Sequence, residues 1–177
     1  MAFSSRLATV DDLPALARLM DRAIGGLQSA FLSPEQVEAS RAFMGIDTQL
    51  VADGTYFLVE GAGRIAGCGG WSRRATLYGG DHSKELREPR LLDPATEPAR
   101  VRAMYTDPDF ARQGVGRLIL NLCETAAAAE GFNAIELMAT LSGEPLYRAC
   151  GYRVIAPAAD TVGGVAVPLR RMGKTIG

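Results

Sequence analysis

The chain has 177 residues, of which 47% are hydrophobic and 22% charged, and its 19 Lys and Arg against 20 Asp and Glu leave a net charge of −1. This length predicts one domain, residues 1–177, with a full core, and the charge balance argues against nucleic acid or an anionic membrane as the partner. Cys68, Cys123 and Cys150 form no C-x-x-C pair, which indicates neither zinc nor a disulfide framework, and with no basic-then-apolar leader and no apolar run of membrane-spanning length a cytoplasmic protein with reduced thiols is expected.

Residues 3–9 read as a first strand. Asp11 can cap a helix whose apolar stripe is Leu13, Leu16, Ala17, Met20, Ile24 and Leu27, with Gly25-Gly26 loosening its end. Ser33-Pro34-Glu35-Gln36 opens a second helix with an N-cap, a proline at the first position and a glutamine that closes a capping box. That helix carries Val37, Phe43 and Met44 and stops at Gly45. Thr55–Glu60 is rich in strand formers, Gly61-Ala62-Gly63 is a hairpin connection, and Arg64–Arg73 is the partner strand. Gly67, Gly69 and Gly70 inside that partner point to a bulge or a close backbone approach, a twisted edge being the simplest form. Residues 74–98 form a long irregular segment able to reach a cleft. The only histidine, His82, lies there without a ligand-spaced partner, so no metal site is predicted.

Residues 100–106 alternate as a strand, with Val101, Ala103 and Tyr105 on one face and Arg102, Met104 and Thr106 on the other. Asp107-Pro108-Asp109 breaks it. From Val115 the apolar positions take helical spacing, namely Leu118, Ile119, Leu122, Ala126 and Ala129, until Gly131. The entry to this helix breaks a local rule. A helix N-terminus is partially positive and usually attracts acids, yet its first turn holds Gln113, Gly114, Val115, Gly116 and Arg117, with Arg112 just before. Bare N–H groups and two arginines suit an external phosphate or pyrophosphate. The plainer alternative is a glycine-flanked helix start with solvated arginines. A dinucleotide fingerprint fails because position 119 is isoleucine, and a P-loop ending at Gly173-Lys174-Thr175 fails because position 168 is proline.

Ala134–Ala139 reads as a buried strand. Ser142 caps a short helix, with Pro145 in its first turn, that ends at Cys150-Gly151. Tyr152–Ala156 and Val165–Arg170 are the last two strands, with Gly163-Gly164 between them.

Ala111-Arg112-Gln113-Gly114-Val115-Gly116 resembles the pyrophosphate loop of the GNAT (GCN5-related N-acetyltransferase) family, except that alanine stands at its leading Arg/Gln position. Leu146-Tyr147-Arg148-Ala149-Cys150-Gly151-Tyr152 resembles the family's second signature. The resemblance implies an α/β (α+β) fold with a mixed, mainly antiparallel sheet of six to seven strands and about four helices. In it the 100–106 and 134–139 strands would run parallel and splay apart, and the first two helices would flank the acceptor cleft, with Gly25–Gln28 as either a mobile rim or a simple linker.

It also implies acetyl-CoA as co-substrate and an amine of a small molecule or peptide as acceptor. Acetyl transfer needs an anchored cofactor, a polarised thioester, a free amine and an acid for the leaving thiolate. Anchoring falls to Arg112 and the N–H groups of Gln113, Gly114, Val115, Gly116 and Arg117, and Met104, Tyr105 and Thr106 supply backbone groups to the acetyl-pantetheine arm. Tyr147 is the implied general acid, and Thr140 stands where the family often has a pantetheine-binding asparagine. Glu60, Asp81, Glu85, Glu136 or a water chain are the candidate bases. The rival reading is a non-catalytic acyl-CoA-binding or sensing module of the same fold. The glycine-rich third strand and the apolar C-terminal strand suggest sheet edges through which a homodimer could form.

Overall fold

The computed structural model describes residues 2–177. In chain order it contains β1 (Ser4–Leu7), α1 (Leu13–Leu27), α2 (Pro34–Ser40), α3 (Thr48–Ala52), β2 (Tyr56–Gly61), β3 (Arg64–Ser72), β4 (Ala99–Thr106), α4 (Val115–Ala129), β5 (Ala134–Thr140), α5 (Glu144–Ala149), β6 (Arg153–Val162) and β7 (Val165–Thr175). The strands form one seven-stranded sheet in the order β1-β2-β3-β4-β5-β7-β6. Every neighbouring pair is antiparallel except β4 and β5.

Those two parallel strands pair only at Ala99–Ile135 and Arg100–Glu136, then separate, as the resemblance implied. The cause lies in β4. Between the Gly70–Arg102 and Cys68–Tyr105 pairs, Gly69 on β3 faces two residues on β4, Ala103 and Met104, and Ala103 has φ +54°. An extra residue of this kind bends and twists its strand. It also resets the alternation. Val101 packs with α4 on one side of the sheet and Tyr105 with α1 on the other, so the single face expected for Val101, Ala103 and Tyr105 is split.

On one side of the sheet, α1 buries Leu16, Leu19, Met20, Ala23 and Ile24 against Tyr56, Leu58 and Cys68. On the other, α4 buries Val115, Ile119, Leu120, Cys123 and Ala127 against Val59, Ala66, Ile135 and Leu137. Both stripes are rotated from the expected ones: Ala17 and Ala129 are exposed. Both helices are apolar over more than one face, so periodicity alone could not fix the buried one.

Several expected boundaries move. Asp11 does not cap α1: it lies in a 3-10 turn, Val10–Asp12, that leads into the helix and is closed by the Asp12 carboxylate accepting the Thr9 N–H at 2.8 Å. Gly25 and Gly26 lie inside α1, not in a loosened end. A Cβ on Gly26 would come within 3.0 Å of Pro108 Cγ, so the helix packs closely on the turn after β4. Gln28 is buried and donates to Ser40 Oγ at 3.0 Å, which pins this corner to α2. The Ser33–Gln36 capping box forms as expected, with bonds of 3.0 and 3.2 Å, but α2 ends at Ser40, before Gly45. The Gly163-Gly164 turn has φ of +55° and +81° and joins Val162 to Val165, a two-residue hairpin of primed type. β6 runs to Val162, beyond the expected Ala156; as the edge strand it tolerates Pro157.

Gly67 and Gly69 of β3 are explained by α4, and Gly70 by Thr55 and Tyr56, whose atoms a Cβ there would meet at 2.8 Å. A Cβ on Gly67 would lie 2.5 Å from Val115 Cγ1 and 3.0 Å from the Tyr105 carbonyl oxygen, and one on Gly69 would lie 2.7 Å from Ile119 Cγ2. The strand is therefore interior and not a twisted edge. β7 is interior as well, so the two edges proposed for a homodimer do not exist; the exposed edges are β1 and β6. Gly67→Ala should destabilise the protein by about 1–3 kcal/mol through overpacking, lowering Tm by roughly 2–10 °C. A thermal melt within 1 °C of the parent would refute that close approach.

Candidate active site

Where β4 and β5 part, a cleft opens, continuous with solvent. β4 lines it from Val101 to Tyr105, β5 through Leu137, Met138 and Thr140, and α5 through Tyr147. Its far wall is Phe43, Met44 and Gly45 after α2, together with Leu77 to Gly80 from the long irregular segment. That segment does reach the cleft, as expected. It is held there by Ser83 Oγ donating to the Ala42 carbonyl at 2.7 Å and by Arg87 donating to the Gly79 carbonyl at 2.7 Å. His82 donates from Nε2 to the Arg41 carbonyl at 2.9 Å, an anchoring contact outside the cleft lining. Beyond Arg100 the β5-facing backbone groups of β4 have no strand partner.

Tyr147 reaches the cleft as expected. It is 9% exposed, its ring packs edge-on against Tyr152 with centroids 5.9 Å apart, and its hydroxyl faces Met104 Sδ at 3.8 Å. Burial raises its phenol above the ordinary value, with Cys123 and Cys150 adding to the shift, so the hydroxyl stays protonated. The turn before α5 is tied by Thr140, not by a Ser142 cap: the Gly143 N–H donates to Thr140 Oγ1 at 3.2 Å, and Gly143 is the N-cap residue.

Met104 and Tyr105 line the cleft; Thr106 pairs with Gly67 and does not. The Tyr105 side chain is committed elsewhere than the backbone role expected of it, its hydroxyl accepting the Gly45 N–H at 2.9 Å.

The loop entering α4 lies beside the cleft rather than in its lining. Arg112 and Gly114 have φ of +61° and +88°. Among the described residues, the first α4 N–H with a carbonyl partner outside the regular ladder is that of Leu118, on Gly114 at 3.0 Å. The N–H groups from Gln113 to Arg117 precede it and are the orphan donors of the helix start. Arg112, Gln113, Gly114 and Arg117 are exposed, and a Cβ on Gly114 would meet nothing within 4 Å. Val115 and Gly116 are buried and offer only backbone: a Cβ on Gly116 would strike Leu146 Cδ2 at 2.5 Å. Among the described residues neither Arg112 nor Arg117 forms an ion pair.

None of the four candidate bases lines the cleft. Glu60 pairs with Arg6 at 3.3 Å. Asp81 caps α3, accepting from Thr48 N and Oγ1 at 3.0 and 2.7 Å. Glu85 lies in a short 3-10 turn of the irregular segment. Glu136 sits where β4 and β5 are still paired, held by Arg171 Nε at 3.0 Å and Arg100 at 3.6 Å.

Two charged residues that the sequence did not single out do line the cleft, Asp47 and Arg102. Asp47 takes a two-pronged contact from Arg87, at 3.0 and 3.1 Å. Arg102 is 4% exposed, and burial pushes its guanidinium down to about 10. An arginine between Val101 and Ala103 in a core strand was the available signal. Among the described residues no group of three or more His, Cys, Asp or Glu is placed to hold a metal, and no helix is long and apolar enough to cross a membrane.

Residues 52–154 match the family model described as an acetyltransferase (GNAT) domain. No curated protein sequence matches the chain. Among solved structures, the chain is similar to a GCN5-related N-acetyltransferase from Rhodopseudomonas palustris, with 19% identity over 99% of both chains and a TM-score of 0.72. It is also similar to the PaiA N-acetyltransferase from Thermoplasma acidophilum solved with coenzyme A, at 14% identity, 99% of both chains and a TM-score of 0.66. A phosphinothricin acetyltransferase from Sinorhizobium meliloti solved with acetyl-CoA matches at 18% identity over 100% of this chain and 90% of its own, with a TM-score of 0.67. These likenesses establish the fold.

Proposed function

This chain belongs to the GNAT acetyltransferase family, and on that premise we propose that it is an N-acetyltransferase, moving the acetyl group of acetyl-CoA to a primary amine of a small molecule or peptide within one ternary complex. The observation that carries the reading is the position of the Tyr147 hydroxyl, 3.8 Å from Met104 Sδ at the bulge where β4 leaves β5. The β4 backbone at Met104, unpaired at the bulge, and at Tyr105, paired to β3 only, would hold the acetyl-pantetheine arm. The bare N–H groups from Gln113 to Arg117, flanked by Arg112 and Arg117, suit its pyrophosphate. The open space over Gly114 leaves room for a phosphate to approach.

In this reading the amine nitrogen attacks the thioester carbonyl carbon, the C–S bond breaks, and the departing thiolate takes the Tyr147 proton. The new N–C bond leaves a proton on nitrogen, which water in the open mouth of the cleft takes and returns to the Tyr147 phenolate, since Glu60, Asp81, Glu85 and Glu136 lie elsewhere and Asp47 is engaged by arginines. The reading extends to a single domain over residues 1–177 and to the cytoplasm, which three unbridged cysteines support.

One observation favours the alternative of a non-catalytic acyl-CoA-binding module: among the described residues no free carboxylate lines the cleft to act as base. Turnover separates the two. A panel of amines, amino acids and peptides, scored for release of the CoA thiol, should show at least one acceptor. CoA binding with no thiol release across the panel would overturn the transferase reading in favour of the binding module.

A further inference from the structure

Arg102 is the most unusual side chain in the molecule. It is buried on β4 with a side chain only 1% exposed, and it lines the cleft. None of its Nε, Nη1 or Nη2 atoms has a hydrogen-bond partner among the described residues. The nearest carboxylate, Asp47, is 3.5 Å from Nη1 and already receives both prongs of Arg87. Arg87 is fully engaged, donating also to the Gly79 carbonyl and to Gln49 Oε1 at 3.1 Å. The other charged pair nearby, Arg74 and Asp53, is closed at 2.8 and 3.0 Å. Asp47 and Arg87 balance, Asp53 and Arg74 balance, and Arg102 is left as a surplus buried cation.

Arg102 has only the shared Asp47 carboxylate at 3.5 Å and no hydrogen bond of its own; a buried charge so poorly compensated costs several kcal/mol, and guanidinium geometry matches a carboxylate with two parallel N–H···O bonds. A second donor is at hand. The Tyr105 hydroxyl accepts the Gly45 N–H, so its own proton is free, and Tyr105 lies with Arg102 among the β4 residues that line the cleft. Phe43, Met44, Leu77 and Leu169 supply an apolar surround. The cleft thus sets one cation without a hydrogen bond among these apolar side chains, in the same cleft as Tyr147.

We propose that the acceptor is a small amine that also carries a carboxylate, an amino acid or a close analogue, and that Arg102 is its specificity-determining residue, holding that carboxylate in the β4 cleft. This rests on the transferase reading for the fate of the amine, but the anion subsite stands on Arg102 alone. A peptide acetylated at its N-terminus presents no carboxylate beside its amine and is disfavoured.

The test pairs the twenty amino acids with their decarboxylated amines and methyl esters, on the full chain, by calorimetry in the presence of CoA and by thiol release with acetyl-CoA. At least one amino acid should bind and react at least roughly 30-fold better in kcat/KM than its amine, the effect expected when a buried charge partner is removed. Arg102→Met should erase that ratio mainly through KM while keeping CoA affinity. Arg102→Lys, which keeps the charge but loses the fork, should recover part of it. Equal use of amines and amino acids, or a ratio unchanged in Arg102→Met, overturns the proposal and leaves acetyl transfer standing. Amino acids that bind through Arg102 without thiol release support the subsite and overturn acetyl transfer instead. No binding by any amino acid overturns the subsite. If Arg102→Met fails to fold, the parent's own preference and the Arg102→Lys ratio decide.

Discussion

Tyr147→Phe should keep the fold and the affinity for CoA and lower the rate of acetyl transfer by at least roughly tenfold, since general acid catalysis typically contributes ~100- to 10,000-fold and a water can take over part of the role. The substitution is mild for the structure. The Tyr147 hydroxyl touches only a thioether sulfur, at 3.8 Å, a weak acceptor whose loss leaves no strong group unsatisfied. The ring keeps its edge-on contact with Tyr152. For the chemistry the hydroxyl matters more. Burial holds its pKa above the ordinary ~10 of a phenol, so it carries a proton throughout the working range. The rate should therefore show no alkaline loss from Tyr147 below about pH 10; a fall at lower pH belongs to another group. Steady-state kinetics with an active acceptor, beside calorimetry with CoA, checks both points. An unchanged rate with intact binding would return Tyr147 to a packing role and strengthen the binding-module alternative.

Gly114→Asp should weaken CoA binding by at least roughly 30-fold. Two effects add. At φ +88° an L side chain is strained, by roughly 1–2 kcal/mol for the left-handed region. The carboxylate would then stand in the open space over the bare N–H groups of Gln113 to Arg117, where a pyrophosphate approaches. Each phosphate charge at about 4 Å repels it by ~1 kcal/mol even in water, so two cost about 30-fold in affinity. Gly114→Ala carries the strain without the charge and separates the terms. Both variants should melt at similar temperatures, while only the aspartate should lose most of its CoA affinity by calorimetry. An aspartate variant that binds CoA as tightly as the parent would remove the pyrophosphate from this loop.

Apart from the short α3, which was not expected, the order of elements, the strand–loop–helix unit from Arg100 to Ala129, the Tyr147 turn and the family were legible in the sequence, because each rests on contacts between near neighbours in the chain. A strand period, a capping box such as Ser33–Gln36, a pair of glycines at a hairpin or a helix entry each report local backbone preference. Three things were decided only by tertiary packing. The first is the bulge at Ala103 and Met104, where two residues of β4 face Gly69 of β3. Alternation within one strand cannot reveal a mismatch with another, so Val101 and Tyr105 were assigned one face and occupy two. The second is which carboxylates see the cleft. Glu60, Asp81 and Glu136 are engaged by Arg6, Thr48 and Arg171, partners 54, 33 and 35 residues away in the chain. The third is the state of Arg102. Its type and strand position were plain in the sequence, but a surplus of charge is a property of a neighbourhood. It appears only when Asp47, Arg87, Asp53 and Arg74 are brought together and paired off, leaving one buried guanidinium facing the cleft.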